Sequence, residues 1–122
     1  MKRKVLIIDD LELVKSVLKR ICEKLGLEAI TAGSAEEGIA LYQTASPQIV
    51  TMDITLPDMN GIEAVKKIKS LDPSARIIMI TGADDRDKLA ESLKAGACDY
   101  IVKPFDSERV VRSFLNQMKN KL

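Results

Sequence analysis

The chain has 122 residues, a formal net charge of +1 and 46% hydrophobic residues, a length and apolar content that suit one domain around an ordinary core. Acids and bases are interspersed and aromatics make up only 3%, which speaks against a nucleic-acid-binding surface with its basic face or stacking rings. With no histidine, the chain lacks the means for Ser-His-Asp or Cys-His catalysis, for most zinc sites and for a phosphohistidine of its own.

Lys2-Arg3-Lys4 opens the chain, but the apolar run after it stops at two aspartates, too soon for a secretory signal. No apolar stretch approaches membrane-spanning length, so membrane insertion is not expected and a cytoplasmic location is. The run Val5-Leu6-Ile7-Ile8 reads as a first strand. Leu11, Val14, Leu18, Ile21 and Leu25 then follow at helical spacing, with Gly26 as the stop. Leu27 to Thr31 is expected to form a short strand. Ser34 opens a second helix with Glu37 completing a capping box; Ile39 and Tyr42 lie on its inner face, and Pro47 follows its end.

The alternation continues. A strand ending at Asp53 leads into a Pro- and Gly-containing loop, Thr55 to Gly61, and a helix that turns Ile62, Val65 and Ile68 inward. Asp72-Pro73 marks a turn before the strand Ile77-Ile78-Met79-Ile80. Asp84 or Asp85 starts a helix that buries Leu89 and Leu93 and ends near Gly96. The last strand, Tyr100-Ile101-Val102, runs into Lys103-Pro104, and a final helix sets Val110, Val111, Phe114 and Met118 against the sheet. Cys22 and Cys98 have no metal motif around them and are expected to pack as small hydrophobes, unpaired.

Five strand-helix units in strict alternation imply an α/β fold, a doubly wound parallel sheet with helices on both faces. Right-handed crossovers leave few orders, and 2-1-3-4-5 suits five units. Asp9, Asp10, Asp53, Thr81 and Lys103 each sit where an apolar run stops. In an open parallel sheet those ends share one edge, and the order 2-1-3 sets Asp9 and Asp10 beside Asp53.

Three carboxylates crowded together raise at least one pKa unless a cation relieves them. Mg²⁺ suits a few carboxylates with water and a phosphoryl oxygen. Lys103 can neutralise a phosphoryl oxygen, Thr81 can donate to another, and Asp53 can act as a nucleophile that forms an acyl phosphate. Taken singly, Asp9-Asp10 could be a helix cap, Asp53 a turn residue, Thr81 a strand exit and Lys103 a solvated lysine. Their matched placement on four strands is what points to one site.

The segments Val5-Leu6-Ile7-Ile8-Asp9-Asp10, Met52-Asp53-Ile54-Thr55-Leu56-Pro57-Asp58-Met59-Asn60-Gly61, Ile80-Thr81-Gly82, Ala95-Gly96-Ala97 and Lys103-Pro104-Phe105 resemble the response-regulator receiver domain, the CheY-like family of two-component signalling. The resemblance spans residues 1–122 as a single receiver domain and implies a flavodoxin-like (CheY-like) fold. It makes Asp53 the phospho-acceptor, Asp10 a direct Mg²⁺ ligand, Asp9 a ligand mainly through water, and the Thr55 carbonyl a further ligand. Thr81 and Lys103 become the phosphoryl-sensing pair and Tyr100 the aromatic switch, with a cis peptide at Lys103-Pro104.

The same resemblance implies a histidine kinase or phosphotransfer protein as phosphodonor, and a downstream target on the face of the fourth helix, fifth strand and fifth helix. It implies a monomer or a phosphorylation-dependent dimer, and a switch that catalyses only its own phosphoryl transfer and dephosphorylation. Thr55 and Ala83 match positions that tune acyl-phosphate hydrolysis, and neither adds an acid, base or amide. Leu11-Glu12-Leu13-Val14 lacks the aromatic or Arg of some chemotaxis members, which weakens a flagellar-switch assignment.

Other functions fit less well. A Mg²⁺-dependent phosphatase with an Asp nucleophile usually needs a second acid where Thr55 stands, and a flavodoxin needs a phosphate loop after the first strand and aromatics for its flavin. A receiver-shaped module that is never phosphorylated would not need the full acid-Thr-Lys set. Within the family, the chain could be free-standing or the receiver of a longer transcriptional or enzymatic regulator.

Overall fold

A computed structural model describes residues 3–82 and 84–119; Lys2 of the basic start and Ala83 lie outside the described residues. Strands and helices alternate as β1 (Lys4–Ile8), α1 (Glu12–Lys24), β2 (Glu28–Ala32), α2 (Ala35–Ala45), β3 (Ile49–Asp53), α3 (Gly61–Leu71), β4 (Ile77–Thr81), α4 (Arg86–Ala95), β5 (Asp99–Val102) and α5 (Ser107–Lys119). All four strand pairings are parallel, in the order β2-β1-β3-β4-β5. The expected doubly wound sheet is therefore observed.

Strand alternation divides the core. Leu6, Ile8, Val50, Met52, Ile77 and Met79 face α2, α3 and α4, while Val5, Ile7, Ile49, Ile78, Ile80 and Ile101 face α1 and α5. β3 and β4 are buried along their whole length, as expected of central parallel strands covered on both faces. Phe114 is fully buried, and Val110 and Met118 line the same side of α5, so the final helix seats as its pattern predicts.

Helix ends follow local chemistry. At the end of α1, the Gly26 N–H donates to the Glu23 carbonyl and the Leu27 N–H to the Cys22 carbonyl, a Schellman closure with Gly26 at φ +75. That turn uses Leu27, so β2 begins at Glu28, one residue later than the sequence pattern suggests. Ser34 caps α2 by accepting from Glu37 N, while the Glu37 carboxylate accepts from Gly33 N, one residue further back than a standard capping box. Asp72 turns the chain by accepting from both the N–H and the hydroxyl of Ser74.

Two apolar positions depart from expectation. Leu11 is the N-cap of α1 and is 51% exposed, because the helix starts only after it. Leu93 is 38% exposed, and the residue that α4 buries fully is its neighbour Ser92. The Ser92 hydroxyl donates to the Leu89 carbonyl at 2.8 Å, which lets a polar residue occupy the inner face.

Gly61 lies hard against the main chain at the end of β3. A Cβ there would lie 2.9 Å from Ile54 Cα, 3.0 Å from the Ile54 carbonyl oxygen and 3.1 Å from that of Asp53, all main-chain atoms that cannot swing aside. Gly61→Ala is therefore expected to lower unfolding free energy by about 2–3 kcal/mol in urea denaturation. Gly26→Ala, which meets nothing within 4 Å and bears only the positive-φ penalty, should cost about 1 kcal/mol. Equal losses for the two variants would overturn this steric account.

Candidate functional site

The five polar residues reach one edge because the strands end in step. Asp9 and Asp10 follow β1, Asp53 and Thr81 are the last residues of β3 and β4, and Lys103 follows β5. Ile8 pairs with Met52, Asp53 with Ile80, and Thr81 with Val102. Main-chain bonds carry the alignment past the strands: Asp9 N–H donates to Ala32 O at 3.0 Å, Ile54 N–H to Ile80 O at 3.0 Å, and Lys103 N–H to Thr81 O at 2.7 Å. The Lys103-Pro104 peptide is cis, as the resemblance implies.

Carboxylate oxygens of Asp9, Asp10 and Asp53 lie within 4.8 Å of one another. Asp9 and Asp53 are buried, whereas Asp10 faces solvent. The Lys103 ammonium lies 3.4 Å from Asp53 Oδ2 and 3.9 Å from Asp9 Oδ2. Asp9 Oδ1 accepts the Leu11 N–H at 2.9 Å, and Asp53 Oδ1 accepts the Thr55 N–H at 3.0 Å. These amide bonds fix the direction in which each buried carboxylate points.

Asp9 Oδ2 is left buried without a hydrogen-bond partner, since 3.9 Å to Lys103 is too long for one. The Asp9 carboxyl is pushed above the usual range, first by burial and then by the Asp53 and Asp10 charges; the Leu11 amide and Lys103 act against the shift. Mutual repulsion is thus present, as the crowding suggests, but desolvation is the larger cause.

An orphaned carboxylate oxygen beside two further carboxylates and one ammonium is a site short of positive charge. Its donors are all hard oxygens, with no thiolate or imidazole among them. That set fits Mg²⁺, which takes one or two carboxylates and keeps several waters.

Thr81 is buried next to this cluster, and its hydroxyl donates to the Gly82 carbonyl at 3.1 Å. Tyr100 is 40% exposed on β5. Thr81, Leu89 and Tyr100 share the lining of a cavity of about 360 Å³ between α4 and β5. The structure thus gathers Asp9, Asp10, Asp53 and Lys103 directly, and sets Thr81 and Tyr100 along the adjoining strands.

The loop after Asp53 folds back on itself through a Thr55–Asn60 bridge and a bond from Gly61 N–H to Ile54 O at 2.9 Å. Leu56 is buried beneath it, and Asn60 caps α3 by accepting from Glu63 N. Asp58, which the sequence pattern marks only as a loop residue, accepts the Ala35 N–H at 2.9 Å and the Glu36 N–H at 2.8 Å. Those two bonds pull its carboxyl below the usual range. Nothing in the local sequence reveals them, because they join segments that meet only in the fold.

The sequence profile of the response regulator receiver domain matches residues 5–114. The chain is 45% identical over 114 residues to the chemotaxis protein CheY of Thermotoga maritima, covering 93% of this chain and 95% of that protein. It is 40% identical over the same length to CheY of Bacillus subtilis, again at 93% and 95% coverage. Among solved structures, a CheY-like receiver domain protein from Methanospirillum hungatei superposes with a TM-score of 0.93 at 32% identity, covering 98% of this chain and 96% of that one. Receiver domains accept phosphate from histidine kinases and act as signalling switches rather than as classical enzymes. On this agreement of profile, sequence and fold, the chain belongs to the response regulator receiver domain family, the phospho-accepting switches of two-component signalling.

Proposed function

We propose that residues 1–122 form a single receiver domain in which Asp53 accepts a phosphoryl group from a histidine kinase or phosphotransfer protein. The observation that carries this reading is the convergence of three carboxylates and one ammonium at a single sheet edge, with Asp9 Oδ2 unpartnered inside it. An Asp53 oxygen attacks phosphorus, the new O–P bond forms as the donor's N–P bond breaks, and the donor imidazole leaves. Lys103, already 3.4 Å from Asp53, faces the charge that develops on the phosphoryl oxygens. Asp10, Asp9, Asp53 and the Thr55 carbonyl would hold Mg²⁺, Asp10 directly and Asp9 mainly through water. When bound, the ion neutralises phosphoryl charge that one ammonium cannot.

The Thr81 hydroxyl, turned to the Gly82 carbonyl, would change partner and donate to the phosphoryl group. Tyr100 would then turn inward beside it; the cavity that both residues line favours this reading. A target would read the face of α4, β5 and α5, where Tyr100 and Val102 are exposed. Chemotaxis proteins among the relatives favour a chemotaxis-type output, while a relative such as the transcriptional regulator PhoP of Bacillus subtilis, of which the match covers 46%, marks the alternative of a longer regulator. Among the described residues no helix is long and apolar enough to cross a membrane, and we place the protein in the cytoplasm as a monomer or a phosphorylation-dependent dimer. Beyond its own phosphoryl transfer and dephosphorylation it turns over no substrate.

Incubation with Mg²⁺ and acetyl phosphate is expected to give one labile phosphoryl adduct by intact-mass measurement, absent in Asp53→Asn. An adduct that persists in that variant moves the acceptor elsewhere, and no adduct on the parent chain sinks the reading.

Asp9 gives a second test through its raised pKa. The unfolded chain releases this proton at lower pH than the folded one, so in the metal-free protein the Asp9 contribution to stability falls as pH rises from the unfolded to the folded value. Above that window the cost is constant. Asp9→Asn should therefore raise metal-free stability at pH 7 by about 1–2 kcal/mol in urea denaturation. It should also reduce the gain in stability that Mg²⁺ gives. A metal-free variant less stable than the parent would contradict the assignment of a buried, unrelieved charge.

A further inference from the structure

The acceptor loop, Ile54–Asn60, is tied at its base by the Thr55–Asn60 bridge and beneath by Leu56. Leu56 seats the loop in the core below the sheet edge, but the hydrogen bonds that tie its outer turn to α2 come from another residue. That residue is Asp58. Its two oxygens accept separate main-chain N–H groups, Ala35 at 2.9 Å and Glu36 at 2.8 Å, which are the first two residues of α2. A carboxylate at that position also meets the positive end of the helix dipole. Ser34 takes the Glu37 N–H, so the cap and Asp58 together satisfy three amides of the first turn of α2.

α2 is itself held rigidly against the sheet. Ala35 is fully buried, and Gly38 approaches Ile8 so closely that a Cβ would fall 2.3 Å from its Cδ1. Ile8 precedes Asp9. The clamp therefore refers the loop carrying Thr55 to the same strand that delivers Asp9 and Asp10, by way of α2 rather than through the site. We propose that Asp58 is a positioning residue for metal binding: through the Ala35 and Glu36 amides it holds the Thr55 carbonyl in register with the Asp9–Asp10–Asp53 cluster. This deepens the reading of Thr55 as a Mg²⁺ ligand and rests on it. Asp58 is exposed at the loop surface, and these two hydrogen bonds run to α2 rather than to the cluster.

The test is Mg²⁺ binding by the full chain, read both as the Mg²⁺-dependent rise in stability to urea and as the Mg²⁺ dependence of acetyl-phosphate-driven phosphorylation by intact mass, for the parent, Asp58→Ala and Asp58→Asn. Asp58→Ala is expected to raise the half-saturating Mg²⁺ concentration about tenfold, with most of the rate recovered at saturation. Asp58→Asn keeps one acceptor oxygen for one of the two amides and should fall between alanine and parent. A half-saturating concentration for Asp58→Ala equal to the parent's overturns the proposal. So does an equal rise in both variants that vanishes at high salt, which would mark Asp58 as a distant charge rather than a clamp. If Asp58→Ala does not fold, the asparagine variant decides by the same measure. Parent phosphorylation that needs no Mg²⁺ would instead overturn the metal reading beneath the proposal, and the two failures are told apart by the parent alone.

Discussion

The join between β1 and β3 holds Asp9 and Asp53 at one edge with Lys103 as the ammonium facing both, and the remaining features of the site follow from that crowding. Two buried carboxylates and an exposed third cannot be balanced by one lysine. Fold geometry brings the charges together, because parallel strands ending in step deliver these residues to one edge. What results is a cluster whose negative charge the protein alone does not balance.

Such a site works against the stability of its own scaffold. Asp9 Oδ2 is desolvated and unpartnered where an amide or apolar side chain would serve the core better. The surrounding sheet compensates with fully buried Ile, Val and Met on both faces of β3 and β4. The polar cluster sits at the strand ends, where burial gives way to solvent within one residue: Asp9 is buried and Asp10 is exposed.

Much of this is legible in the sequence, for identifiable reasons. Continuous apolar runs mark central parallel strands, and a polar residue that terminates each run marks the functional edge. Leu11 and Leu93 depart from the pattern because spacing alone does not say where a helix begins or which face it rotates inward. Leu11 falls one residue before α1, and α4 turns Ser92 inward, a residue whose hydroxyl is satisfied within its own helix. Leu27 was drawn into the closing turn of α1 by its amide rather than into β2 by its side chain. Asp58 left no trace in the pattern, since its partners are main-chain amides on a helix far upstream, and amides have no sequence signature.

The strand order has a further consequence, for the order in which the molecule can be assembled. β1 pairs with β2 across α1 alone, and β3 with β4, and β4 with β5, each across a single helix, whereas β1 meets β3 only after two helices and β2 have intervened. That closure spans the longest stretch of chain of any pairing in the sheet and carries the largest loop entropy. Asp9 and Asp10 emerge early in synthesis, yet they have no carboxylate partner until β3 has emerged and docked beside β1. The acidic cluster is thus a record that the most distant join in the sheet has closed, while the contact of Lys103 with Asp53 forms only once β4 and β5 have followed.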